Sequence, residues 1–303
     1  MAILTDFENK LGDIAGGIKL LRNEPLSRHT SFKIGGPAAL MAFPATEEEL
    51  SALLQLSSAL DISPYILGAG TNVLAPDEGI DGLVICLKDC LNGIRQLEDD
   101  RIEVMGGVTL SRAAVFAANL GLAGMEFSHG IPGTVGGGVY MNAGAYGGEL
   151  CQICESVDVM TMDGKLEHFT CQQMEFSYRH SILEERGGIV TKAVFKLQKG
   201  DTQAIRDKMK ELIGKRSASQ PLDLPSAGSA FKRPVGGYAA ALIDQAGLKG
   251  FRVGDAAVSE KHAGFVVNLG SATAKDVRTL LEAVASRVYE NSGIKIEPEV
   301  RIW

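Results

Sequence analysis

Apolar and polar positions follow two different periods along this chain, and each period predicts one type of secondary structure. Apolar residues recur every three or four positions in four stretches, which predicts amphipathic helices. These stretches are TEEELSALLQLSSALD, TLSRAAVFAANLGLAG, DTQAIRDKMKELIGKR and SATAKDVRTLLEAVASRVYENSG. The first stretch opens with a capping box formed by Thr46 and Glu49. We also expect residues 1–24 to form a peripheral helical lead.

Short apolar runs bounded by glycine predict strands between these helices. The runs include AALMAF, RIEVM, GGIVTKAVFKL, the terminal IKIEPEVRIW, and a hairpin, ESVDVMTMDGKLEHFT, that turns at Asp163-Gly164. Strands and helices do not alternate regularly, which is typical of α+β modules. The composition changes at Gly200, so we place a domain boundary near residue 200.

Charge and composition narrow the functional classes. The chain has 303 residues, a net charge of −7 and a pI near 5.4, which argues against a nucleic-acid surface. No apolar stretch approaches the roughly 18 residues of a membrane span, and the N-terminus has no basic region leading into an apolar core. Five cysteines, an odd number, are typical of a reducing compartment. We therefore expect a cytoplasmic protein without nucleic-acid or membrane partners.

Two glycine-rich turns raise the question of what their backbone approaches. The segment GIPGTVGGGVYMNAGAYGG, residues 130–148, carries eight glycines among apolar side chains, unlike a flexible linker. It is either a sharply turned core loop or a nest of N–H groups around an anion such as a pyrophosphate. The other turn, LGAGTN at 67–72, has Val73 where a dinucleotide-binding fingerprint has its third glycine. Read alone, that turn is equally well a tight connection between strands.

Taken together, the two turns resemble the paired cofactor loops of the flavin-binding fold shared with vanillyl-alcohol oxidase (the PCMH type). Their amino-acid sequences are similar to those of one branch of this fold, the UDP-N-acetylenolpyruvoylglucosamine reductase family of peptidoglycan synthesis. The motifs TSFKIGGPA, FSYRHS, PSAGSAFKRP, LIDQAGLKG, VSEKHAGFVVN and IEPEVRIW extend the resemblance from about residue 25 to the end. It implies a two-domain α+β flavoprotein, with an FAD-binding domain in residues 1–200 (core about 30–199) and a smaller α+β substrate-binding domain in residues 201–303.

The resemblance also implies which residues bind the ligands. The cofactor-binding positions are Gly68, Gly70, Thr71, Asn72, Pro132, Gly133, Thr134, Gly136 and Gly137. Tyr146, Arg216 and Lys232 match positions that bind a nucleotide diphosphate sugar. The implied activity is NADPH-dependent, FAD-mediated reduction of UDP-N-acetylglucosamine enolpyruvate to UDP-N-acetylmuramate, carried out by a monomer without a metal ion.

Three residues match the catalytic positions of the family: Arg179, Ser229 and Glu299. In this reaction an enol ether accepts hydride at C3 from flavin N5, and negative charge develops as an enolate. A guanidinium fork suits that charge, so the resemblance assigns its stabilisation to Arg179. Ser229 is assigned the proton for C2, and a Glu299 carboxyl kept protonated by burial would donate a hydrogen bond.

Without the resemblance, each of these residues has a simpler interpretation. Arg179 reads as a surface or strand-end arginine, and Ser229 as a turn or helix-cap serine. Glu299 reads as a strand residue that faces solvent or pairs with Arg301, and Glu297 is the alternative carboxylate if the register of the EPE motif differs.

The chain departs from the family pattern at a few positions. Residue 233 is Arg where many members have Asn, and Ala240 stands where glycine is expected. The short stretch between Arg179 and Ser229 leaves little room for the tyrosine-bearing loop of the longer subtype. We therefore expect the compact subtype, in which substrate capture differs.

Two other functions stay open at this stage. One is a flavin oxidase of the same fold, and the other is a nucleotide- or zinc-binding regulatory module. The zinc hypothesis rests on Cys151, Cys154, His168 and Cys171, whose spacing is close to that of zinc ligands, although pairing across the hairpin does not assure their convergence. His129 and His180 flank proposed site residues and are candidates to touch flavin or substrate.

Overall fold

The computed structural model describes residues 2–98 and 100–303, except the side chain of Ala2. Its α-helices are α1 (Ala2–Ala15), α2 (Glu47–Ala59), α3 (Leu110–Asn119), α4 (Val135–Tyr140), α5 (Leu183–Arg186), α6 (Thr202–Ser219), α7 (Ala239–Gln245) and α8 (Ala274–Ser292). The described part of the chain contains no helix that is both long and apolar enough to cross a membrane.

The strands are short and spread along the whole chain. They are β1 (Lys19–Pro25), β2 (Pro37–Phe43), β3 (Tyr65–Leu67), β4 (Val73–Leu74), β5 (Ile80–Cys86), β6 (Ile94–Glu98), β7 (Arg101–Met105), β8 (Leu122–Ala123), β9 (Gly144–Ala145), β10 (Gly148–Glu149), β11 (Cys154–Met160), β12 (Leu166–Thr170), β13 (Ile189–Lys196), β14 (Gln198–Lys199), β15 (Ser226–Ser229), β16 (Arg252–Val253), β17 (Ala256–Val258), β18 (Phe265–Asn268) and β19 (Arg301–Ile302). Two sheets have four strands, in the orders β1-β2-β5-β3 and β15-β18-β17-β16, and one has five, in the order β12-β11-β13-β7-β6.

The chain divides into two compact units that it enters more than once. The first unit comprises the chain up to Arg22, Ala39–Ala69 and Asp81–Gly214. The second comprises Asn23–Ala38, Gly70–Ile80 and Lys215–Trp303. The first unit thus extends past residue 200 into α6, and two early segments join the second. The assignment of cofactor and substrate binding to residues 1–200 and 201–303 stays a prediction.

The first unit is built on the elements that the apolar periods predict. Thr46 accepts a hydrogen bond from the Glu49 N–H at 3.2 Å and caps α2, which buries Leu50, Leu53 and Leu54 on one face. The predicted hairpin is confirmed, since β11 and β12 pair from Ser156 with Thr170 to Met160 with Leu166. In the expected helical lead only α1 is helical. The helix ends before Gly16 and Gly17 because glycine stabilises a helix poorly. The rest of the expected lead, residues 19–25, belongs to strand β1.

The second unit packs its four-stranded sheet with α7 and α8 around a separate core. Within α8, Val277, Leu281, Val284 and Val288 recur at helical spacing and are at most 2% exposed. The terminal strand is shorter than the sequence suggests, because Pro298 has no N–H to donate and forms only an isolated bridge to Phe231.

Candidate active site

The first half of the LGAGTN turn meets the glycine-rich segment 130–148 within the first unit. Thr134 is buried and caps α4, since its hydroxyl accepts from the Gly137 N–H at 3.2 Å. A Cβ built on Gly68 would lie 2.7 Å from the same hydroxyl oxygen. A side chain at Gly68 would collide with the Thr134 hydroxyl, so glycine at this position lets the two segments approach closely. This arrangement fits the pyrophosphate of a dinucleotide cofactor.

The glycine density of residues 130–148 has two physical causes. At Gly136, Gly144 and Gly148 a Cβ would lie within 3.1 Å of neighbouring protein atoms, namely backbone carbonyl oxygens for the first two and the Phe127 ring for the third. The segment is therefore partly a tightly packed core loop. Gly137 is different, because it is exposed and a Cβ there would meet only the Thr134 hydroxyl, at 3.5 Å.

Arg179 stands at the tip of a tight turn. Ser177 and His180 bond each other through reciprocal backbone hydrogen bonds of 3.2 Å, and Arg179 has a φ of 57°. Its guanidinium donates to the carbonyl of Gly144 at 3.3 Å and lies over the Tyr178 ring, 5.1 Å from the centroid. The half-buried arginine is thus held against the glycine-rich segment rather than in a strand ladder.

A buried asparagine that the motifs did not reveal ties this turn in place. The Asn142 amide donates to the Ser177 carbonyl at 3.0 Å and to a Glu149 carboxylate oxygen at 3.1 Å. Its carbonyl oxygen accepts from the Cys151 N–H at 3.0 Å, and its side chain is 1% exposed. Asn142 has a left-handed backbone (φ 41°), which asparagine tolerates better than most residues. This preference agrees with the observed conformation but does not by itself predict the contacts of the side chain.

The implied site residues fall in both compact units. In the first unit lie Gly68, Pro132, Gly133, Thr134, Gly136, Gly137, Tyr146 and Arg179, and in the second lie Gly70, Thr71, Asn72, Arg216, Ser229, Lys232 and Glu299. Tyr146 is exposed at the two-residue turn between β9 and β10 with φ of 54°, which is typical of a tight hairpin.

The second unit brings Ser229 and Glu299 together through the backbone. Ser229 is exposed at the end of β15, and the next residue, Ala230, accepts from the Glu299 N–H at 2.9 Å. Glu299 is half-buried, whereas Glu297 is exposed and its carbonyl accepts from the Lys232 N–H at 2.9 Å. The register therefore places Glu299, not Glu297, beside the strand that carries Ser229.

The second half of the LGAGTN turn lies against the same segment. Asn72 donates its side-chain amide to the Glu299 carbonyl at 3.2 Å and accepts from the Arg301 N–H at 2.9 Å. Gly70 has a φ of +62°, and a Cβ there would lie 2.1 Å from the His29 carbonyl oxygen. Only glycine fits this position. The turn, Ser229 and Glu299 thus share one region of the second unit.

The zinc hypothesis finds no geometric basis. His168 hydrogen-bonds Asp158 across the hairpin at 2.6 Å, and burial raises the pKa of Cys154 to about 12. Nowhere in residues 2–98 and 100–303 do three or more histidine, cysteine or acidic side chains form a group that could hold a metal ion.

The two histidines that flank site residues have protein partners. His129 hydrogen-bonds Ser111 at 3.1 Å and lines a groove of about 360 Å³ with residues of α3 and α6. His180 bonds Glu185 at 2.8 Å, and that hydrogen bond raises the pKa of His180. Contact of either ring with flavin or substrate stays a prediction.

Comparison with known proteins defines the class first. Residues 38–170 match the family model described as an FAD binding domain, so the chain is a flavoprotein, and the expected two-domain α+β fold is confirmed. Residues 220–303 match the model for the C-terminal domain of UDP-N-acetylenolpyruvoylglucosamine reductase. The chain belongs to the UDP-N-acetylenolpyruvoylglucosamine reductase family and is an oxidoreductase of peptidoglycan synthesis.

Individual relatives span nearly the whole chain. The reductase of Caldanaerobacter subterraneus is 46% identical over 294 residues, which cover 97% of both proteins. That of Streptococcus pneumoniae is 43% identical, again with 97% of both covered. The crystal structure of the enzyme from Thermus caldophilus superposes with a TM-score of 0.77 at 37% identity, over 94% of this chain and 98% of that one.

Proposed function

We propose that this protein reduces UDP-N-acetylglucosamine enolpyruvate to UDP-N-acetylmuramate with NADPH as the reductant. The observation that carries the proposal is the backbone hydrogen bond from the Glu299 N–H to Ala230, the residue next to Ser229, in a chain that resembles reductases of this name over nearly its whole length. The alternative function, a flavin oxidase, is not supported by the motifs that carry Ser229 and Glu299. Their proposed role is proton delivery to a carbon atom, which an oxidase reaction does not need.

The two turns are the proposed cofactor site. The residues that would hold FAD are Gly68, Gly70, Thr71, Asn72, Pro132, Gly133, Thr134, Gly136 and Gly137. When held by these residues, FAD would supply the hydride-transfer chemistry that links NADPH to C3 of the substrate. The protein contributes the close approach of the two segments at Gly68 and Thr134 and the exposed backbone at Gly137.

Arg179 is proposed to stabilise the charge that develops on the substrate. When hydride adds to C3, the electron pair of the former C2–C3 double bond is delocalised into the carboxylate as an enolate. A guanidinium fork can donate two hydrogen bonds to those oxygens. The Gly144 carbonyl and the Tyr178 ring restrict where Arg179 can lie, so little reorganisation is needed during the reaction.

Ser229 is proposed to supply the proton to C2 of the enolate. Its exposed position at the end of β15 leaves the hydroxyl accessible to substrate. Glu299 lies next to this strand and is proposed to donate a hydrogen bond to the enolate from its protonated carboxyl. Proton delivery of this kind contributes about 10²- to 10⁴-fold to a rate.

Substrate recognition is proposed to use Tyr146, Arg216 and Lys232 on the nucleotide diphosphate sugar. Arg216 lies in the last turn of α6, and Lys232 follows the strand that carries Ser229. At position 233, where many family members have Asn, the Arg233 guanidinium lies over the Tyr238 ring, 4.5 Å from its centroid. An asparagine would offer an amide there. We further propose a cytoplasmic monomer of the compact subtype that serves cell wall biogenesis, cell shape and cell division.

Anaerobic absorption spectroscopy tests the proposal in one cuvette. We expect flavin bands that bleach with NADPH and return when the enolpyruvyl sugar nucleotide is added. Bands that return only with oxygen would favour the oxidase. A colourless protein that takes up no added FAD would overturn the flavin site.

A further inference from the structure

Two hydrogen bonds join Asn72 of the proposed cofactor turn to the backbone of the segment that carries Glu299. The side-chain amide of Asn72 donates to the Glu299 carbonyl at 3.2 Å, although the two residues are 227 positions apart. Its own carbonyl accepts from the Arg301 N–H at 2.9 Å. Directly after it, β4 pairs in parallel with β19, Val73 opposite Arg301.

The Asn72 amide acts where the sheet would otherwise continue. In this parallel ladder the Arg301 N–H bonds the Asn72 carbonyl, and the Trp303 N–H bonds the Leu74 carbonyl at 3.1 Å. Two residues before Arg301 on the same strand, the next acceptor of the ladder is the Glu299 carbonyl. The Asn72 side-chain amide donates to this carbonyl. An amide side chain supplies such a donor, whereas an aspartate of the same size does not.

The backbone of Glu299 is therefore held from two sides. Its N–H donates to Ala230, which follows Ser229, and its carbonyl accepts from Asn72. We infer that Asn72 is a positioning residue for Glu299, in addition to its proposed place in the cofactor turn. Through this bond the cofactor turn, the carboxylate and the strand of the proton donor keep a common register. The inference rests on the proposed function of Glu299.

The test compares the two half-reactions of the flavin in an Asn72→Asp variant, which keeps the side-chain volume but loses the donor. Because Asn72 is also proposed to hold FAD, we expect the FAD dissociation constant, measured by flavin fluorescence, to rise, so both half-reactions are measured with the variant saturated with FAD. Under that condition, anaerobic reduction by NADPH is the internal reference for changes at the cofactor itself. Reoxidation by the enolpyruvyl substrate should slow about tenfold, the effect of one hydrogen bond. Asn119→Asp, the same change on the exposed end of α3, is the matched control and should leave both half-reactions unchanged.

A double-mutant cycle with Glu299→Gln decides whether Asn72 acts through Glu299. If it does, the double variant reoxidises no more slowly than Glu299→Gln alone. Independent, multiplying effects would overturn the inference, as would a loss of FAD affinity that accounts for the whole defect. Wild-type reoxidation in Glu299→Gln would instead overturn the proposed role of Glu299 and the inference with it. Asn72→Ala provides the same comparison if Asn72→Asp folds poorly.

Discussion

At the scale of single residues, Arg179 combines an unfavourable backbone conformation with a side chain that is proposed to act on the substrate. A left-handed conformation costs a non-glycine residue roughly 1–2 kcal/mol, and Arg179 has a φ of 57°. The reciprocal bonds between Ser177 and His180, together with the Asn142 amide on Ser177, hold the turn in this form. The neighbours thus offset the strain and aim the guanidinium.

Replacing Arg179 with lysine tests the need for a guanidinium fork. Lysine bears the same backbone cost, so we expect Arg179→Lys to unfold at the same urea concentration as wild type. Flavin reduction by NADPH should persist, while reoxidation by substrate should slow about 10²-fold or more, because a bidentate donor becomes a point charge. Stopped-flow absorbance of each half-reaction measures this. Arg186→Lys, at an exposed ion pair, is the control. Wild-type turnover in Arg179→Lys would remove Arg179 from the mechanism.

Replacing Ser229 with alanine tests proton delivery to C2. The exposed hydroxyl is expected to contribute little to stability, so Ser229→Ala should fold and bind FAD normally. Reduction by NADPH should remain near wild type, and substrate-driven reoxidation should fall by about 10²- to 10⁴-fold. The exposed Ser271 provides a control substitution to alanine. An equal loss in both half-reactions would contradict the role of Ser229 as proton donor.

At the scale of secondary-structure elements, the N-terminus of α8 anchors the segment that carries Asn72. The Asp77 carboxylate accepts from the Ala274 and Lys275 N–H groups at 2.7 and 3.1 Å. Thr273 and Asp276 add a reciprocal capping box with bonds of 3.0 Å. The free N–H groups of the first helical turn thus receive acceptors, and the segment 70–80 is fixed at both β4 and α8.

The capping box makes the stability of α8 depend on pH. Hydrogen bonds from the backbone and side chain of Thr273 lower the pKa of Asp276. Because the native pKa lies below the unfolded value of about 3.9, the ionised carboxylate stabilises the fold fully above that pH and loses its effect as the pH falls through the native pKa. Asp276→Asn should therefore unfold at lower urea than wild type at pH 7.

Urea midpoints at pH 7 and pH 3 measure this difference for Asp276→Asn. The gap between variant and wild type should narrow at the lower pH. Asp223→Asn, an exposed loop position, serves as the control. A gap of constant size at both values would show that the charge of Asp276 is not what stabilises α8.

At the scale of the whole molecule, each compact unit has its own buried core, and the proposed cofactor residues come from both. Phe195 is fully buried in the first unit and Val277 in the second. The LGAGTN turn itself passes from one unit to the other between Ala69 and Gly70. The proposed cofactor residues of this turn are therefore divided between the two units.

FAD is expected to stabilise the protein freed of flavin. At a hundredfold excess over its dissociation constant, a ligand specific for the native state adds about 2.7 kcal/mol, which raises Tm by roughly 4 °C for a protein of this size. Circular dichroism at increasing FAD concentration measures the shift. Riboflavin, which lacks the pyrophosphate, should shift Tm much less. An equal shift with riboflavin would contradict pyrophosphate binding by the glycine turns.

Local patterns in the sequence determined the elements and the family. The capped α2, the hairpin of β11 and β12 and the long α8 follow from apolar period and capping residues, because these interactions span only a few positions. The motifs around Arg179, Ser229 and Glu299 likewise indicated the family and the chemistry.

Tertiary structure alone decided how these parts meet. Three side-chain hydrogen bonds join residues that are distant in the sequence. The Asn142 amide reaches Ser177 over 35 positions, Asp77 reaches the N-terminus of α8 over 197, and the Asn72 amide reaches Glu299 over 227. The same holds for the membership of residues 23–38 and 70–80 in the second unit. No short-range period encodes such contacts, because a single asparagine or aspartate in a loop can reach many acceptors or donors, and only the packed chain selects one.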